Sequence, residues 1–270
     1  MNRPLILACV LAGFALSACN TTGSSAGLSD AMQVVSAALP ASVQNDPKYS
    51  IATDLANAAA VNDTELKDYA RQMIKAEDAQ NPVAKKGNKY ATRLERLTRK
   101  HQKEDGLVLN YKVYLVQDVN AFAAPDGSIR VYAGLMDIMS DDELLSVIGH
   151  EIGHVKHGHS LEKMRTAYIA AAGTKAVANQ AGKSKAPIDV TQLAKMGEKF
   201  INAQFSQSAE YEADAYGVTF MKKYRYKTNA SESAMRKLAE LGGGQSSLFD
   251  SHPGALARAD KIREMVAANN

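Results

Sequence analysis

Val147-Ile148-Gly149-His150-Glu151-Ile152-Gly153-His154-Val155 sets two histidines four residues apart, with a glutamate directly after the first. On an α-helix, positions four apart share a face about one turn from each other. His150 and His154 can therefore offer two imidazole nitrogens to a single metal ion, and Glu151 lies where it can take a proton from a water held there. Zinc suits the set because it accepts nitrogen and oxygen ligands, has no redox chemistry and tolerates an open fourth position. The competing reading is a pair of satisfied histidines on a core helix. The flanks weigh against it. Ser140 and Glu143 make a capping-box pattern that starts a helix just upstream. Leu144, Leu145, Ile148, Ile152 and Val155 form its apolar face. Gly149 and Gly153 each cost up to about 1 kcal/mol in a helix relative to Ala, which suggests that something approaches this helix closely.

A catalytic zinc needs a third protein ligand, with the fourth position left to water. The pattern H-E-x-x-H-x-x-G-x-x-H fails here, because His157 stands in the glycine position and Ser160 in the last histidine position. His157 and His159 read as ordinary polar helix-end residues. A carboxylate on a second helix fits better. In Ser206-Gln207-Ser208-Ala209-Glu210-Tyr211-Glu212-Ala213-Asp214, Glu210 and Asp214 share a face. Glu210 can complete a two-histidine, one-glutamate site, and Asp214 can accept a hydrogen bond from the far nitrogen of His150 or His154. Glu212 points elsewhere, toward solvent.

Upstream of the histidine helix the period changes to that of a strand. Val108 to Gln117 reads as extended, and Ala121 to Ala124 turns at Pro125-Asp126-Gly127 into Ile129-Arg130-Val131-Tyr132. A small sheet whose edge lies beside the metal would let an extended peptide add itself as a strand. Before it, Thr64 is expected to cap a helix to about Gln80, and Tyr90 to Lys103 to form another, closed by Asp105-Gly106. His101 reads as a solvated residue or a helix-end charge. Leu28 to Leu39 looks like a short helix. Downstream, Ala167 to Ala181 is too short and polar to span a membrane, Gly182 to Pro187 is a loop, and Val190 to about Phe205 is amphipathic.

The chain has 270 residues, a formal charge of +3 with no dense basic block, no Trp and two cysteines. Nucleic acid is therefore not a suggested partner, and a helix-rich fold is favoured over a β-sandwich. The start, Asn2-Arg3 and then an apolar run from Leu5 to Ala18, is too short for a bilayer but right for a signal-peptide core. It ends in Leu16-Ser17-Ala18-Cys19 before a polar tether, and this resembles a bacterial lipoprotein signal. That resemblance implies lipid on Cys19 and, with Asn20 next, the periplasmic face of the outer membrane. The expected organisation is a signal peptide over 1–18, a lipidated tether over 19–27, an N-terminal helical region over 28–105 and a zinc metallopeptidase domain over 106–270.

H-E-x-x-H with E-x-x-A-D further along resembles the peptidase family of HtpX and the CAAX prenyl proteases, particularly its lipid-anchored members of the enterobacterial outer membrane. Asn120-Ala121-Phe122-Ala123, Ile129 to Met136 and Phe205-Ser206-Gln207 resemble it too. The likeness is densest from Asn110 to Arg258 and loose over 20–105. It implies a mostly helical α+β fold of the zincin-like, gluzincin type, with a small sheet beside the active-site helix. It also implies one Zn2+ per chain on His150, His154 and Glu210, with Glu151 as catalytic base. Ser251-His252-Pro253 and Arg258 match the family's C-terminal pattern. This implies that His252 either donates to the developing oxyanion or caps the resting zinc, and that Arg258, with Asn120 and Phe122, supports substrate or oxyanion. The implied activity is endoproteolysis of unfolded or misfolded envelope proteins in quality control, with a partner protease or assembly machinery as a possible associate. The rival readings are a zinc-containing chaperone or assembly-factor lipoprotein with latent or gated proteolysis, and a narrower hydrolase such as an exopeptidase.

Overall fold

The computed structural model describes residues 61–180, 190–241 and 247–268. Cys19, the signal peptide, the tether, the expected helix over Leu28–Leu39 and the Gly182–Pro187 loop lie outside the described residues. In chain order the elements are α1 (Asp63–Gln80), α2 (Lys89–Thr98), β1 (Lys103–Glu104), β2 (Leu107–Val108), β3 (Asn110–Tyr114), β4 (Ala121–Ala123), β5 (Ser128–Tyr132), α3 (Ala133–Ile138), α4 (Asp141–Lys156), α5 (His159–Gln180), α6 (Val190–Asn202), α7 (Gln207–Lys223), α8 (Asn229–Leu241), α9 (Ser247–Ser251) and α10 (Ala255–Ala267). This is the expected mostly helical α+β fold. None of the described helices is long and apolar enough to cross a membrane.

The sheet has the order β3-β5-β4. β5 pairs antiparallel with β4 (Ala121↔Val131) across the Pro125-Asp126-Gly127 turn, and parallel with β3 (Asn110↔Ser128). β4 is thus an edge strand, and it packs against α4. Several boundaries move from their expected places. Asp63 begins α1, so Thr64 lies inside the helix. α2 stops at Thr98 because the next residues enter a two-stranded ribbon, β1 with β2, which turns on Asp105 and Gly106 at positive φ. Val108 belongs to that ribbon and not to β3. β3 ends at Tyr114, after which the Leu115 amide donates to the Pro82 carbonyl.

Packing crosses the boundary expected at 105/106. Arg130, buried in β5, donates to Asp78 of α1 at 2.8 and 3.1 Å, and Arg93 of α2 donates to Asp141 at the start of α4 at 2.8 Å. α4 begins at the expected capping box. Ser140 Oγ accepts from the Glu143 amide, and Glu143 Oε2 accepts from the Ser140 amide at 2.8 Å. Burial pushes the Glu143 carboxyl up, but hydrogen bonds from Lys237, Ser233 and Ser140 outweigh it and bring it to about 2.

The main helix contact is α4 on α7, and the two glycines of the histidine helix explain it. A Cβ on Gly149 would stand 2.8 Å from Phe220 Cδ1, and one on Gly153 would stand 3.0 Å from Ala213 Cα and O. Any side chain at either position would push α7 away and take its carboxylates with it. α8 packs on α4 and α10, and α10 on α7, so the pair is enclosed.

Candidate metal centre

α4 presents His150 and His154 one turn apart, and α7, held close by the glycines, presents Glu210 across from them. The Nε2 atoms of the two histidines lie 3.0 Å apart. Glu210 Oε1 is 3.4 Å from His154 Nε2, and Glu210 Oε2 is 3.6 Å from His150 Nε2. His252, between α9 and α10, brings Nδ1 to 2.9 Å from Glu210 Oε1 and 3.2 Å from His150 Nε2. One ligand atom from each of these four residues lies within 4.8 Å of the others, and all four side chains are buried. Four lone-pair donors turned toward one point, with water excluded, would oppose folding unless a cation filled the space between them. The donor set, three nitrogens and a carboxylate, matches zinc.

The surroundings hold Glu210 and His154 in ligand form, whereas at His150 burial and the Arg258 charge push down but Asp214 and Glu210 outweigh them and raise it. Burial pushes Glu210 up, but His252, His154 and the Arg258 charge overcome it and hold the carboxylate well below its usual range. Burial and the neighbouring His150 hold His154 well below an ordinary histidine, so that it stays neutral. Asp214 takes the expected place, with Oδ1 2.9 Å from His150 Nδ1. Its carboxylate also accepts from Arg258 Nε at 2.8 Å and Nη2 at 2.7 Å. Against the rise that burial causes, the Arg258 charge keeps Asp214 ionised.

Glu151 is 1% exposed, and its Oε1 has no hydrogen-bond partner. That oxygen lies 3.6 Å from His252 Nε2. Burial raises the Glu151 carboxyl, partly offset by His252 and His150, which brings it nearer to the working range of a general base.

Three expectations for site residues need correction or completion. Phe122 is not at the site: it is buried among Tyr114, Tyr132 and Phe200, with ring centroids 6.3–6.4 Å away. In a buried strand its bulk fills the core. Arg258 is held by protein groups. It is 1% exposed and committed to Asp214, to an ion pair with Glu210 and to the His252 carbonyl at 3.2 Å, so its support of His252 runs through the backbone. His159, read as a polar helix end, stands against the outer edge of His154. Asn120 is buried with Oδ1 unpartnered. Two further residues take no site role from sequence, although Phe205 lies in a stretch that resembles the family. Phe205 stacks on His154 at 3.8 Å and 16°, and Lys163 sets its ammonium 4.2 Å from the Phe205 ring centre. Burial drives Lys163 down to about 8, while Glu151 and Glu210 draw it back up.

A two-histidine helix beside a glutamate helix, with a free carboxylate next to the ligands, defines a zinc-dependent metalloendopeptidase of the zincin kind. The chain belongs to peptidase family M48, whose family model matches residues 84–266. It is 39% identical over 213 residues to the metalloprotease YcaL of Escherichia coli K12, covering 78% of this chain and 84% of that protein. It is also 39% identical over 217 residues to the metalloprotease LoiP of the same organism, with the same coverage. The mitochondrial metalloendopeptidase OMA1 of Arabidopsis thaliana is 30% identical over 160 residues, which cover 58% of this chain and 32% of that protein.

Proposed function

We propose that His150, His154 and Glu210 hold the zinc, that Glu151 is the catalytic base, and that the natural substrates are unfolded or misfolded proteins of the bacterial envelope. The observation that carries this reading is the convergence of four buried ligand atoms beside a buried carboxylate oxygen, Glu151 Oε1, that has no hydrogen-bond partner. Zinc in such a site supplies Lewis acidity, polarising the scissile carbonyl and lowering the pKa of water toward about 7. Glu151 takes the proton released as water attacks and returns it to the leaving amine. With His252 included, the ligands number four, which is the closed set of a structural site; catalysis needs one position open. His150, His154 and Glu210, on the α4–α7 pair, would hold the zinc, and His252, on a short segment between α9 and α10, would be left to donate to the developing oxyanion, with Arg258 bracing its carbonyl.

The envelope assignment rests on Leu16-Ser17-Ala18-Cys19 and the polar tether after it. It places the protein on the periplasmic face of the outer membrane by lipid on Cys19. Mass spectrometry of the mature N-terminus tests it: a diacyl-modified Cys19 is expected, and an unmodified N-terminus elsewhere would overturn it. For the chemistry, digestion of an unfolded protein by the wild type is compared with Glu151→Gln at equal zinc content. A loss of about 100- to 10,000-fold is expected in the variant. Equal cleavage by both would remove Glu151 from the mechanism. Full zinc with no cleavage by either would favour the gated or chaperone reading.

A further inference from the structure

The two ligand histidines of α4 are anchored in different ways. His150 Nδ1 meets a carboxylate directly, Asp214 Oδ1 at 2.9 Å. The outer nitrogen of His154 meets another imidazole: His159 Nδ1 lies 3.1 Å from His154 Nδ1. The other nitrogen of that ring, Nε2, lies 3.3 Å from Glu212 Oε2. The side chain of His159 is 11% exposed and that of Glu212 57% exposed, while that of His154 is wholly buried. We propose that His159 is a positioning residue for His154, an imidazole relay that ties this zinc ligand to the surface carboxylate of Glu212. The inference rests on the reading that His154 binds zinc through Nε2.

The protons along this chain have a single consistent arrangement. A ligand His154 needs its Nε2 lone pair free, so its proton sits on Nδ1 and is donated to His159 Nδ1. That nitrogen must accept, so the proton of His159 sits on Nε2 and is donated to Glu212. Each ring is neutral, and every donor faces an acceptor. The opposite arrangement puts a proton on His154 Nε2, where a metal cannot bind. The relay therefore selects the tautomer that the ligand needs.

It also selects the orientation. Phe205, stacked on His154, fixes the plane of the ring but not which edge faces Glu210. A half-turn about the Cβ–Cγ bond keeps the plane and puts a carbon where Nε2 stood. On the outer edge of the ring, the hydrogen bond at Nδ1 distinguishes the two states, as the metal-side contacts of Nε2 do on the inner edge. The local fold delivers His159 to that place. α4 ends at Lys156 with His157 as its C-cap, Gly158 adopts φ 79°, and α5 starts afresh at His159. Had the helix run on, His159 would have left the His154 face. His157 lies on the solvent side of the relay, its ring stacked on His159 at 5.7 Å and its Nδ1 3.9 Å from Glu212, with neither contact reaching His154.

The test uses the full chain and two probes, Zn2+ competed with a chelator of known affinity and Co2+ read by its visible absorption. His159→Leu is expected to weaken zinc by roughly 10- to 100-fold and to change the cobalt spectrum, with the unfolding temperature of the metal-free protein held. His159→Asn, whose Oδ1 replaces Nδ1 as acceptor, should recover most of the affinity. Glu212→Ala should weaken zinc several-fold, and adding it to His159→Leu should cost nothing further, since Glu212 acts only through His159. Zinc affinity within twofold of the wild type with an unchanged cobalt spectrum in His159→Leu would overturn the relay. So would a Glu212→Ala effect that persists in full on top of it. If His159→Leu does not fold, His159→Asn and Glu212→Ala carry the test, and wild-type affinity in Glu212→Ala would then overturn the relay. His154→Ala separates this failure from that of the ligand assignment: zinc retained at wild-type affinity there would mean that His154 is not a ligand at all.

Discussion

Helix α7 has a buried histidine cluster at each end. At its start Glu210 and Asp214 face His150, His154 and His252; at its finish Phe220, Lys223 and the following Tyr224 close over His101, which is 0% exposed. Both clusters combine imidazole, carboxylate and a cationic side chain. At the first, the lone pairs converge on one point. At the second, they diverge. His101 Nε2 meets the Tyr226 hydroxyl at 2.9 Å, and His101 Nδ1 lies 3.6 Å from Glu104 Oε2. Glu104 in turn accepts from Tyr224 at 2.6 Å and pairs with Lys223. Phe220 and Tyr224 stand edge-on to the imidazole at 4.7 and 4.4 Å. Burial of a histidine with an acid is thus common to both ends, as is a buried atom with no hydrogen-bond partner, His101 Nδ1 at one and Glu210 Oε2 at the other; what marks the metal centre is that four ligand atoms converge on a shared space. His101 was expected at the surface; it is instead the core of an aromatic clamp that locks the β1–β2 ribbon to α7.

The comparison breaks most visibly if the ends are exchanged in function. Glu210→Ala should abolish zinc binding and proteolysis together, because it removes a ligand and leaves the cationic Arg258 buried without one of its partners. Chelating the wild type should likewise lower its unfolding temperature, as expected for an ion that at 100 times its Kd stabilises by about 2.7 kcal/mol. His101→Leu should do the reverse. Its zinc content should stay at one per chain, with stability lower by about 2–3 kcal/mol from the orphaned Tyr226 and Glu104 groups. Metal analysis beside denaturant titration checks both. Loss of zinc in His101→Leu would show that the ends are coupled through α7.

The metal end was legible because its signals are local. Helical spacing aligns His150 with His154, the capping box starts α4, and Glu210 and Asp214 repeat the same four-residue spacing on α7. Even the close approach of the helices was written in Gly149 and Gly153. The other end was not legible, since the rings that cover His101 come from Tyr224 and Tyr226, more than a hundred residues later in the chain. The helical pattern over Tyr90 to Lys103 also gave no reason to stop at Thr98. His159 reads as a polar helix end, which it is, since it starts α5; that reading leaves out its 3.1 Å contact with His154. His157-Gly158 carries the stop signal of a left-handed glycine, and reading it would have turned His159 back toward His154.

The finest test of the contrast is pH, and its sign follows from burial. At His101, burial is the largest influence and lowers the imidazole below its ordinary value; Glu104 opposes this, while Lys100 and Lys223 add to it. The unfolded chain therefore takes up a proton near the ordinary histidine range of about 6.5 while the folded protein still refuses it. Stability contributed by neutral His101 is present above that range and is lost as pH falls from there toward the folded value. The advantage of the wild type over His101→Gln, both zinc-loaded, should then shrink between pH 7.5 and pH 5.5 on denaturant titration. The site histidines titrate in both proteins and cancel in the difference. An advantage that grows on acidification would mean that His101 folds protonated against Glu104. The clamp would then be an ion pair, and both ends of α7 would hold a cation: a metal at one and an imidazolium at the other.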